Sequence, residues 1–595
     1  MREVQKIESG DVTLGKLLTE QNYLFRVSNY QRHYVWTEKE VQRFLTDGEF
    51  CWIQAAEGER FIHFAGQISL RTIETGRNML TKVEIVDGQQ RLTTFLLLTA
   101  VAARMMKLEF GHADAAEALW KKYFVAQAEF SEDEERLMLS RRDQEFWRQL
   151  TRMEEREIPD AVTESQKQLR MAEQEIGRYL REELAGKRPD EDPSGIMQDY
   201  IEAVASSFRF VLLKTSSPGY AYALYQTVND RGVPLTSGEL LKARTIELLS
   251  DRKSMAQEAE QIWDDILEDP GTVTDRYLTW NYIAVTGRRM ETKRSATIHE
   301  QYERDIFCCY NRRILSEVEQ QTVKRQLDML KVNVERMRSL AGGILPGECS
   351  GYAGVLFDAL VKMLKNTFCI PVYLKILDMK EKNRVRTINS ITPMLVKAFF
   401  VAKTMGGLHD GVISNAYLEI WKYIDSDRAD MEEIRRCLEK LMERDSCREE
   451  FGSKIKADVY ARGASGNAKA KFLLLMLELY YLKQVEGGGN DCGDDSVTFR
   501  VSEMSVEHIL RESVDPNEVS RAFYESIHKI GNLTLAGKRV NTRMKNSDFE
   551  AKRERYQRSP YHITREVGRL EHWTKKTFDE RQEQLTEDLK KAFEL

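Results

Sequence analysis

The sequence predicts a mainly α protein with α/β parts, and three observations support that fold class. Glycine and proline, 34 and 11 of the 595 residues, fall below their usual share, which favours long helices over turn-rich all-β folds. Charged side chains recur at three- and four-residue spacing between residues 112 and 210, as on solvent-facing helices. Short β-rich runs occupy residues 61–71, 82–86, 208–214 and 504–510. We therefore expect α/β regions near both ends and helices between them.

A chain of this length exceeds a single core, so we expect several domains. Residues 1–245 combine the first three β-rich runs with a helical insertion at about 112–207. Residues 246–430 have few turn signals and many amphipathic windows, which predicts a helical middle region. Residues 431–595 hold the last β-rich run, in a core of 500–560 embedded in helices.

Composition excludes several classes of protein. Hydrophobic residues at 42% exclude wholesale disorder, and a net charge of −6 gives no overall signature of polyanion binding. The longest apolar runs, 95–106 and 472–482, are too short to span a membrane, and no signal peptide opens the sequence. The eight cysteines form no C-x-x-C pair. We expect a cytoplasmic protein with reduced thiols and no membrane partner.

The most informative motif lies after residue 500, where four of the nine histidines are found. Glu507 and His508 stand in a strand-like run, Asn532 follows, and Asn541 comes nine residues after Asn532. This order and spacing resemble the ββα-metal nucleases, in which a strand ends in an acid–His pair and a His or Asn begins the helix after a hairpin. Taken singly, His508 could be a structural histidine and Asn532 a turn residue. Their conjunction favours the nuclease.

Phosphodiester hydrolysis explains why such residues occur together. An imidazole with a pKa near 6.5 can deprotonate water at neutral pH, so we predict His508 as general base. An asparagine carbonyl can hold that ring without adding charge, a role we assign to Asn532. Mg²⁺, or another divalent cation, needs few protein oxygens, and we predict Glu507 and Asn541 as its ligands.

The charge around this motif is locally basic. Residues 529–569 contain eleven basic and four acidic side chains. Such a patch can follow a phosphate backbone, although an ordinary solvated helix face has the same composition. The candidate DNA contacts are Lys538, Arg539, Arg543 and Lys552.

A second motif runs from Asp87 to Arg91, where a strand-like run meets a predicted helix. Gly88 permits a tight turn, and the unpaired N–H groups that follow it, at Gln89 and Gln90, suit a phosphate. Arg91 could clamp a phosphate, while Asp87 could hold a metal or orient water. The sequence therefore predicts a nucleotide site, and a simple helix-capping turn is the alternative.

Upstream of this turn lies an aromatic-rich segment that begins with Tyr30, Gln31 and Arg32. Its side chains could stack on a nucleic-acid base or anchor the core. We include these three residues among the candidate DNA contacts.

The two motifs together resemble one family, the GmrSD-type modification-dependent restriction endonucleases. The C-terminal resemblance rests on residues 507–510, 531–535 and 573–581, together with Asn541, Phe549 and Lys552. The N-terminal resemblance rests on residues 30–36, 64–68, 87–91 and 229–242, which occur in the family's order. Arg511 and Ser28 stand where the family usually has proline.

The resemblance implies a ParB/sulfiredoxin-like N-terminal domain that binds or hydrolyses a nucleoside triphosphate, and an HNH-like C-terminal nuclease domain. The leading hypothesis is an anti-phage, type IV-like restriction endonuclease that senses modified DNA and nicks or cleaves it. One alternative is a nucleotide-switched regulator that binds DNA or a protein partner and whose nuclease-like domain is inactive. Another is a toxin that degrades nucleic acid indiscriminately. Sugar-modified cytosine and phosphorothioate DNA both fit the resemblance, and an oligomer is possible.

Overall fold

The architecture is that of a computed structural model. It describes residues 8–27, 31–58, 61–75, 80–126, 134–154, 159–188, 190–216, 235–291, 297–312, 314–461, 466–485, 500–544 and 547–595. The chain is mainly α with α/β parts, as the composition predicts. It divides into two compact units, one of Met1–Arg276 with Lys293–Asp328, the other of Tyr277–Thr292 with Met329–Leu595. The three-part division at 245 and 430 stays a prediction.

The first unit is built on a mixed six-stranded sheet in the order β1-β8-β3-β4-β2-β7. Neighbouring strands are antiparallel in the pairs β1/β8 and β3/β4, and parallel in the pairs β3/β8, β2/β4 and β2/β7. A separate antiparallel pair joins β5 and β6. The strands are β1 Glu8–Thr13, β2 Tyr23–Val27, β3 His63–Thr75, β4 Thr81–Asp87, β5 Val125–Ala126, β6 Glu134–Glu135, β7 Leu137–Met138 and β8 Phe208–Thr215.

Helices pack around this sheet, and the central one is α3. Its 20 residues are apolar around almost the whole circumference, as in a helix surrounded by core. The helices up to the first boundary between the units are α1 Leu14–Thr19, α2 Glu38–Ala56, α3 Gln89–Leu108, α4 Ala113–Phe124, α5 Gln144–Thr151, α6 Glu164–Arg178, α7 Pro193–Ser207, α8 Ser237–Leu248 and α9 Lys253–Ile266. Short polar residues cap several of them, among them Thr13, Thr163, Asp192 and Thr236.

The chain continues through a long helical stretch. Its helices are α10 Gly271–Thr286, α11 Ile298–Asp305, α12 Glu317–Ala341, α13 Gly351–Asp358, α14 Ile370–Leu377, α15 Glu381–Phe399, α16 Asp410–Lys422, α17 Met431–Glu443, α18 Cys447–Lys456 and α19 Gly466–Val485. Boundaries between the two units fall inside α10 and α12.

A two-stranded antiparallel hairpin follows in the second unit, and helices surround it. The strands are β9 Met504–His508 and β10 Leu533–Gly537, and the helices are α20 Arg521–Tyr524, α21 Lys538–Met544, α22 Phe549–Gln557, α23 His562–Arg569 and α24 Lys575–Phe593. Strand, strand and helix α21 therefore occur in the order that the C-terminal motif predicts.

The four predicted β-rich runs are confirmed as β3, β4, β8 and β9. The predicted insertion at 112–207 differs in one respect, because it contains three two-residue strands and one of them, β7, extends the main sheet. Leu137 of β7 is buried opposite Phe25. This burial stabilises a strand there, although the charge pattern of the segment indicates only helix. Within the described ranges, no helix is both long and apolar enough to cross a membrane.

Candidate functional site

His508 is the last residue of β9, directly opposite Leu533 of β10. Its side chain is buried, with 8% of the residue exposed. Successive side chains of a strand point to opposite faces, so the side chains of Glu507 and His508 contact different residues.

Asn532, just before β10, is fully buried and makes four side-chain hydrogen bonds. Its Oδ1 accepts from the backbone N–H of Leu510 at 2.8 Å and from the indole of Trp573 at 3.1 Å. Its Nδ2 donates to the carbonyls of Leu510 and Ile527. These bonds use the full capacity of the amide. The role predicted for Asn532 needs correction, since it fixes the backbone beyond His508 and does not bind the imidazole.

The imidazole of His508 instead meets two residues that the sequence analysis did not assign. His508 Nε2 lies 3.4 Å from Nδ1 of His528. The ring of Tyr460 stands edge-on to His508 and lies nearly parallel to His528. The excess of histidines after residue 500 is the sequence signal for His528, whereas nothing in the sequence indicates Tyr460.

Glu507 forms a buried ion pair with Lys552 of α22. Oε1 of Glu507 lies 2.7 Å from Nζ of Lys552 and accepts from the Tyr556 hydroxyl at 3.3 Å. Lys552 and Tyr556 stand four residues apart on one helix face, which brings both to the same carboxylate. Burial raises the pKa of Glu507, and Lys552 and Tyr556 only partly offset this effect.

Lys552 also donates to the backbone carbonyl of His508 at 2.8 Å. With 1% of its side chain exposed, its ammonium group cannot reach a DNA phosphate. The prediction that Lys552 contacts DNA is therefore wrong, because its ammonium group binds Glu507 and the His508 carbonyl inside the protein. Its charge compensates Glu507 inside the unit.

The other predicted DNA contacts lie on α21. Lys538 and Arg539 are exposed, and the side chain of Arg543 lies outside the described residues. Burial, together with the charge of Lys538, lowers the pKa of Lys471 to about 8, so Lys471 lies close enough to Lys538 for the two charges to interact. This surface remains a candidate for phosphate contact.

Asn541, also on α21, ties the helix to the hairpin. Its Nδ2 donates to Ser505 Oγ and to the Val506 carbonyl, both at 2.7 Å. Its amide oxygen accepts no hydrogen bond from a described residue. Asn541 therefore lies beside the backbone of the residue that precedes Glu507.

The donor set determines which cation this region could take. No group of three His, Cys, Asp or Glu side chains in the described part of the chain is placed to hold a metal. Oε2 of Glu507 and the amide oxygen of Asn541 remain as oxygen donors, since neither is bonded to another described residue. A pair of oxygens fits Mg²⁺, which keeps several waters, and does not fit zinc, which needs three or four protein ligands.

The nucleotide motif forms a strand–turn–helix. Asp87 ends β4, and α3 begins at Gln89. Between them Gly88 has a φ of 98°, and a Cβ there would come within 2.8 Å of Ile68, so the turn requires glycine.

The two glutamines of this motif point inward. Gln89 and Gln90 are both buried. Gln90 accepts from the backbone N–H of Val35 at 3.0 Å and donates to the carbonyl of His33 at 3.1 Å. The phosphate contact predicted at these two residues therefore rests on their backbone N–H groups, while the Gln90 side chain holds the aromatic-rich segment in place.

Arg91 and Asp87 remain partly accessible, with 23% and 16% of their side chains exposed. Arg91 Nη1 donates to the carbonyl of Ala65 at 2.5 Å, and its Nη2 lies 3.4 Å from Asp87 Oδ2. A Cβ at Gly66 would lie 2.4 Å from Arg91 Nη1, so this glycine makes room for the guanidinium. Burial raises the pKa of Asp87, and the nearby charges of Arg91 and Arg32 offset part of the rise.

The residues of the aromatic-rich segment differ in burial and in their contacts. Tyr30 lies outside the described residues, and Arg32 is half-buried. Gln31 is buried, and its Oε1 has no hydrogen-bond partner in the described structure. Tyr34 is also buried and bonds to Thr94 of α3.

His33 links the same segment to α8 and α9. Its ring nitrogens lie 2.9 Å from Asp143 and 3.3 Å from Asp264, and Asp264 also pairs with Lys242 of α8. Burial alone would lower the pKa of His33, but the two carboxylates outweigh it and raise the pKa above 6.5. No local pattern in the sequence indicates this cluster, because its members are far apart along the chain.

Two protein-family models match the chain. The model described as GmrSD restriction endonuclease, N-terminal domain, matches residues 14–246. The model described as GmrSD restriction endonucleases, C-terminal domain, matches residues 445–588. Together they cover more than half of the chain, with one model over each candidate site. No curated protein matches the chain significantly.

The Glu507–Lys552 pair makes a testable prediction for Lys552→Met. At pH 7 this variant should destabilise the hairpin by about 3–5 kcal/mol, because it leaves a buried carboxylate without its counter-charge. The measurement is hydrogen exchange at the β9 and β10 amides. Glu507→Gln combined with Lys552→Met serves as the control and should recover most of the loss.

The defect of Lys552→Met should also depend on pH. The folded pKa of Glu507 is raised above its ordinary 4.5, so the folded state takes up the proton more readily than the unfolded state. The penalty should therefore shrink as pH falls through the folded pKa toward 4.5. A penalty that stays the same between pH 7 and pH 5 would contradict a buried, charged Glu507.

Proposed function

The chain belongs to the GmrSD restriction endonuclease family, and on that basis we propose how its two sites divide the work. It is a restriction endonuclease of anti-phage defence, and its substrate is DNA. We propose that the β9–β10–α21 region carries out phosphodiester hydrolysis and that the Asp87–Arg91 turn binds a nucleoside triphosphate that controls it. The observation that carries the proposal is His508 at the end of β9, beside a strand–strand–helix motif and an exposed basic surface.

In the hydrolysis, His508 acts as the general base. Its imidazole takes one proton from a water molecule as the water oxygen forms a bond to phosphorus. The bond from phosphorus to the leaving oxygen breaks, and that oxygen takes a proton from solvent. Asn532 contributes by fixing the backbone at Leu510, two residues beyond the base.

Glu507 and Asn541 are the residues that would hold Mg²⁺. When bound, the cation would supply positive charge that neutralises the phosphate and the leaving oxygen. Lys552 pairs with one oxygen of Glu507, so the other oxygen of the carboxylate would be the one that binds the cation.

DNA would lie along α21, where Lys538 and Arg539 are exposed. Each phosphate that such a side chain neutralises should steepen the salt dependence of binding by about 0.9 log units. We include Arg543 among the proposed DNA contacts of α21 on the sequence pattern alone.

At the N-terminal site, the partly accessible pair of Arg91 and Asp87 would meet the triphosphate. Backbone N–H groups at the start of α3 point along the helix axis and favour negative charge. Gln90 couples this turn to the segment that contains Arg32, the proposed DNA-contacting residue of this half, with Tyr30 added on sequence alone. Nucleotide binding at the turn would thereby alter the position of this segment, which we propose senses DNA modification. Gln31, the third contact predicted there, is buried, so its side chain does not face DNA.

A second candidate function is a nucleotide-switched regulator with an inactive nuclease-like domain. The observation in its favour is Lys552, whose ammonium group already neutralises Glu507. Plasmid DNA incubated with the protein and Mg²⁺, with and without EDTA, separates the two. Cleavage that EDTA abolishes supports the endonuclease, whereas intact supercoiled DNA across modified and unmodified substrates supports the regulator.

For catalysis, we predict that His508→Ala lowers the rate of DNA cleavage by about 10²–10⁴-fold, as expected for loss of a general base. The measurement is single-turnover cleavage of a modified plasmid. His572→Ala is the matched control, because His572 is an exposed histidine of the same unit. Wild-type cleavage by His508→Ala would refute the assignment.

For the nucleotide, we predict that Arg91→Ala weakens triphosphate binding by about 10- to 100-fold, the effect of losing hydrogen bonds from a charged group. The measurement is equilibrium binding of labelled ATP and GTP. Arg71→Ala is the control, since Arg71 also forms an ion pair with a carboxylate of β4, that of Glu84. Equal binding by the wild type and Arg91→Ala would remove this turn from the nucleotide site.

A further inference from the structure

The predicted base does not stand alone, because a second imidazole faces it. His508 Nε2 and His528 Nδ1 are 3.4 Å apart, and the two rings are nearly perpendicular, with centroids 5.5 Å apart. At this distance one nitrogen can carry a proton that the other accepts. The pair is therefore a hydrogen-bonded unit whose direction depends on which ring holds the shared proton.

His528 is fixed from outside the hairpin. Its backbone carbonyl accepts from the N–H groups of Val459 and Tyr460 at 3.1 and 3.2 Å. Asp458 forms a β-bridge with Lys529, the next residue along. The Tyr460 ring stacks on His528 at 5.5 Å, with an interplanar angle of 21°. These contacts hold the His528 ring in one place before any substrate arrives.

Asn532 cannot supply this orientation. Its four hydrogen bonds all go to Leu510, Ile527 and Trp573. A general base needs one defined tautomer, since only the nitrogen without a proton can accept one. A partner on the opposite nitrogen commonly fixes that choice.

We propose that His528 is the positioning residue of the general base: it accepts the Nε2–H of His508 and thereby fixes the tautomer and the orientation of that ring. The proposal rests on the nuclease function given above. When His508 gains a proton, the hydrogen bond to His528 becomes charge-assisted and strengthens.

A neutral imidazole suits this position for an electrostatic reason. A carboxylate behind the base would stabilise the imidazolium more strongly, but its charge would repel the phosphodiester anion. The one carboxylate adjacent in sequence, Glu507, is paired with Lys552. His528 therefore orients the base without adding a negative charge of its own.

The first test is a kinetic series on His528, with His528→Ala and His528→Asn as the two variants. The asparagine side chain can place an accepting oxygen near the position of Nδ1. His528→Ala should lower kcat about 10- to 100-fold with KM within about twofold, the loss expected for a hydrogen bond to a group that becomes charged. His528→Asn should recover most of this loss. A rise in KM alone, or equal loss in both variants, would overturn the proposal.

A double variant separates positioning from a merely structural role. If His528 acts only through His508, adding His528→Ala to His508→Ala should lower the rate no further. A further loss of tenfold or more would mean that His528 acts independently, which would contradict the proposal.

A measurement without DNA tests the pairing even if the wild type does not cleave. In protein labelled with ¹⁵N-histidine, NMR shifts distinguish the two tautomers, and His508→Ala identifies the His508 signals. We expect the Nε2–H tautomer for His508 in the wild type and in His528→Asn, and a tautomer mixture in His528→Ala. Unchanged His562 and His572 signals would show that the fold is intact. A wild-type mixture, or the same tautomer in His528→Ala, would refute the pairing independently of the nuclease assignment.

Discussion

The C-terminal site depends on one constraint, the need of the buried Asn532 amide to satisfy all its hydrogen bonds. Those bonds join the backbone beyond β9, the backbone before β10 and the indole of Trp573. Each unsatisfied buried amide group would cost about 1–3 kcal/mol of folding free energy, so the loop between the strands favours the one conformation that satisfies Asn532. In that conformation, His508 and His528 lie within hydrogen-bonding distance of each other. Asn532 thus shapes the site through the backbone.

Strand geometry then divides the functional groups. Because side chains alternate along β9, Glu507 meets Lys552 and Tyr556 while His508 meets His528 and Tyr460. One side neutralises a buried acid, and the other holds a base in a defined orientation. The N-terminal turn follows a similar principle, with Gln90 buried to hold the adjacent segment and Arg91 left partly accessible.

Sequence reasoning predicted the fold class, the strand–turn–helix at Gly88 and the strand that ends at His508, because periodicity and turn residues are local signals. It misplaced Lys552, since composition counts charges without revealing which side of a helix each one faces. It missed Tyr460 and His528 as partners of His508 because Tyr460 lies about 50 residues and His528 20 residues from His508 along the chain, and only folding brings them together.

Chemical rescue tests the central claim, that His508 is the base held at the end of β9, most directly. Imidazole and substituted imidazoles would be added to His508→Ala during single-turnover DNA cleavage. The account predicts saturable recovery of the rate, with stronger bases more effective, because the cavity left by the side chain can admit the missing base. Folded His508→Ala protein that cleaves slowly and shows no recovery, or recovery that is independent of the added base's pKa, would contradict it.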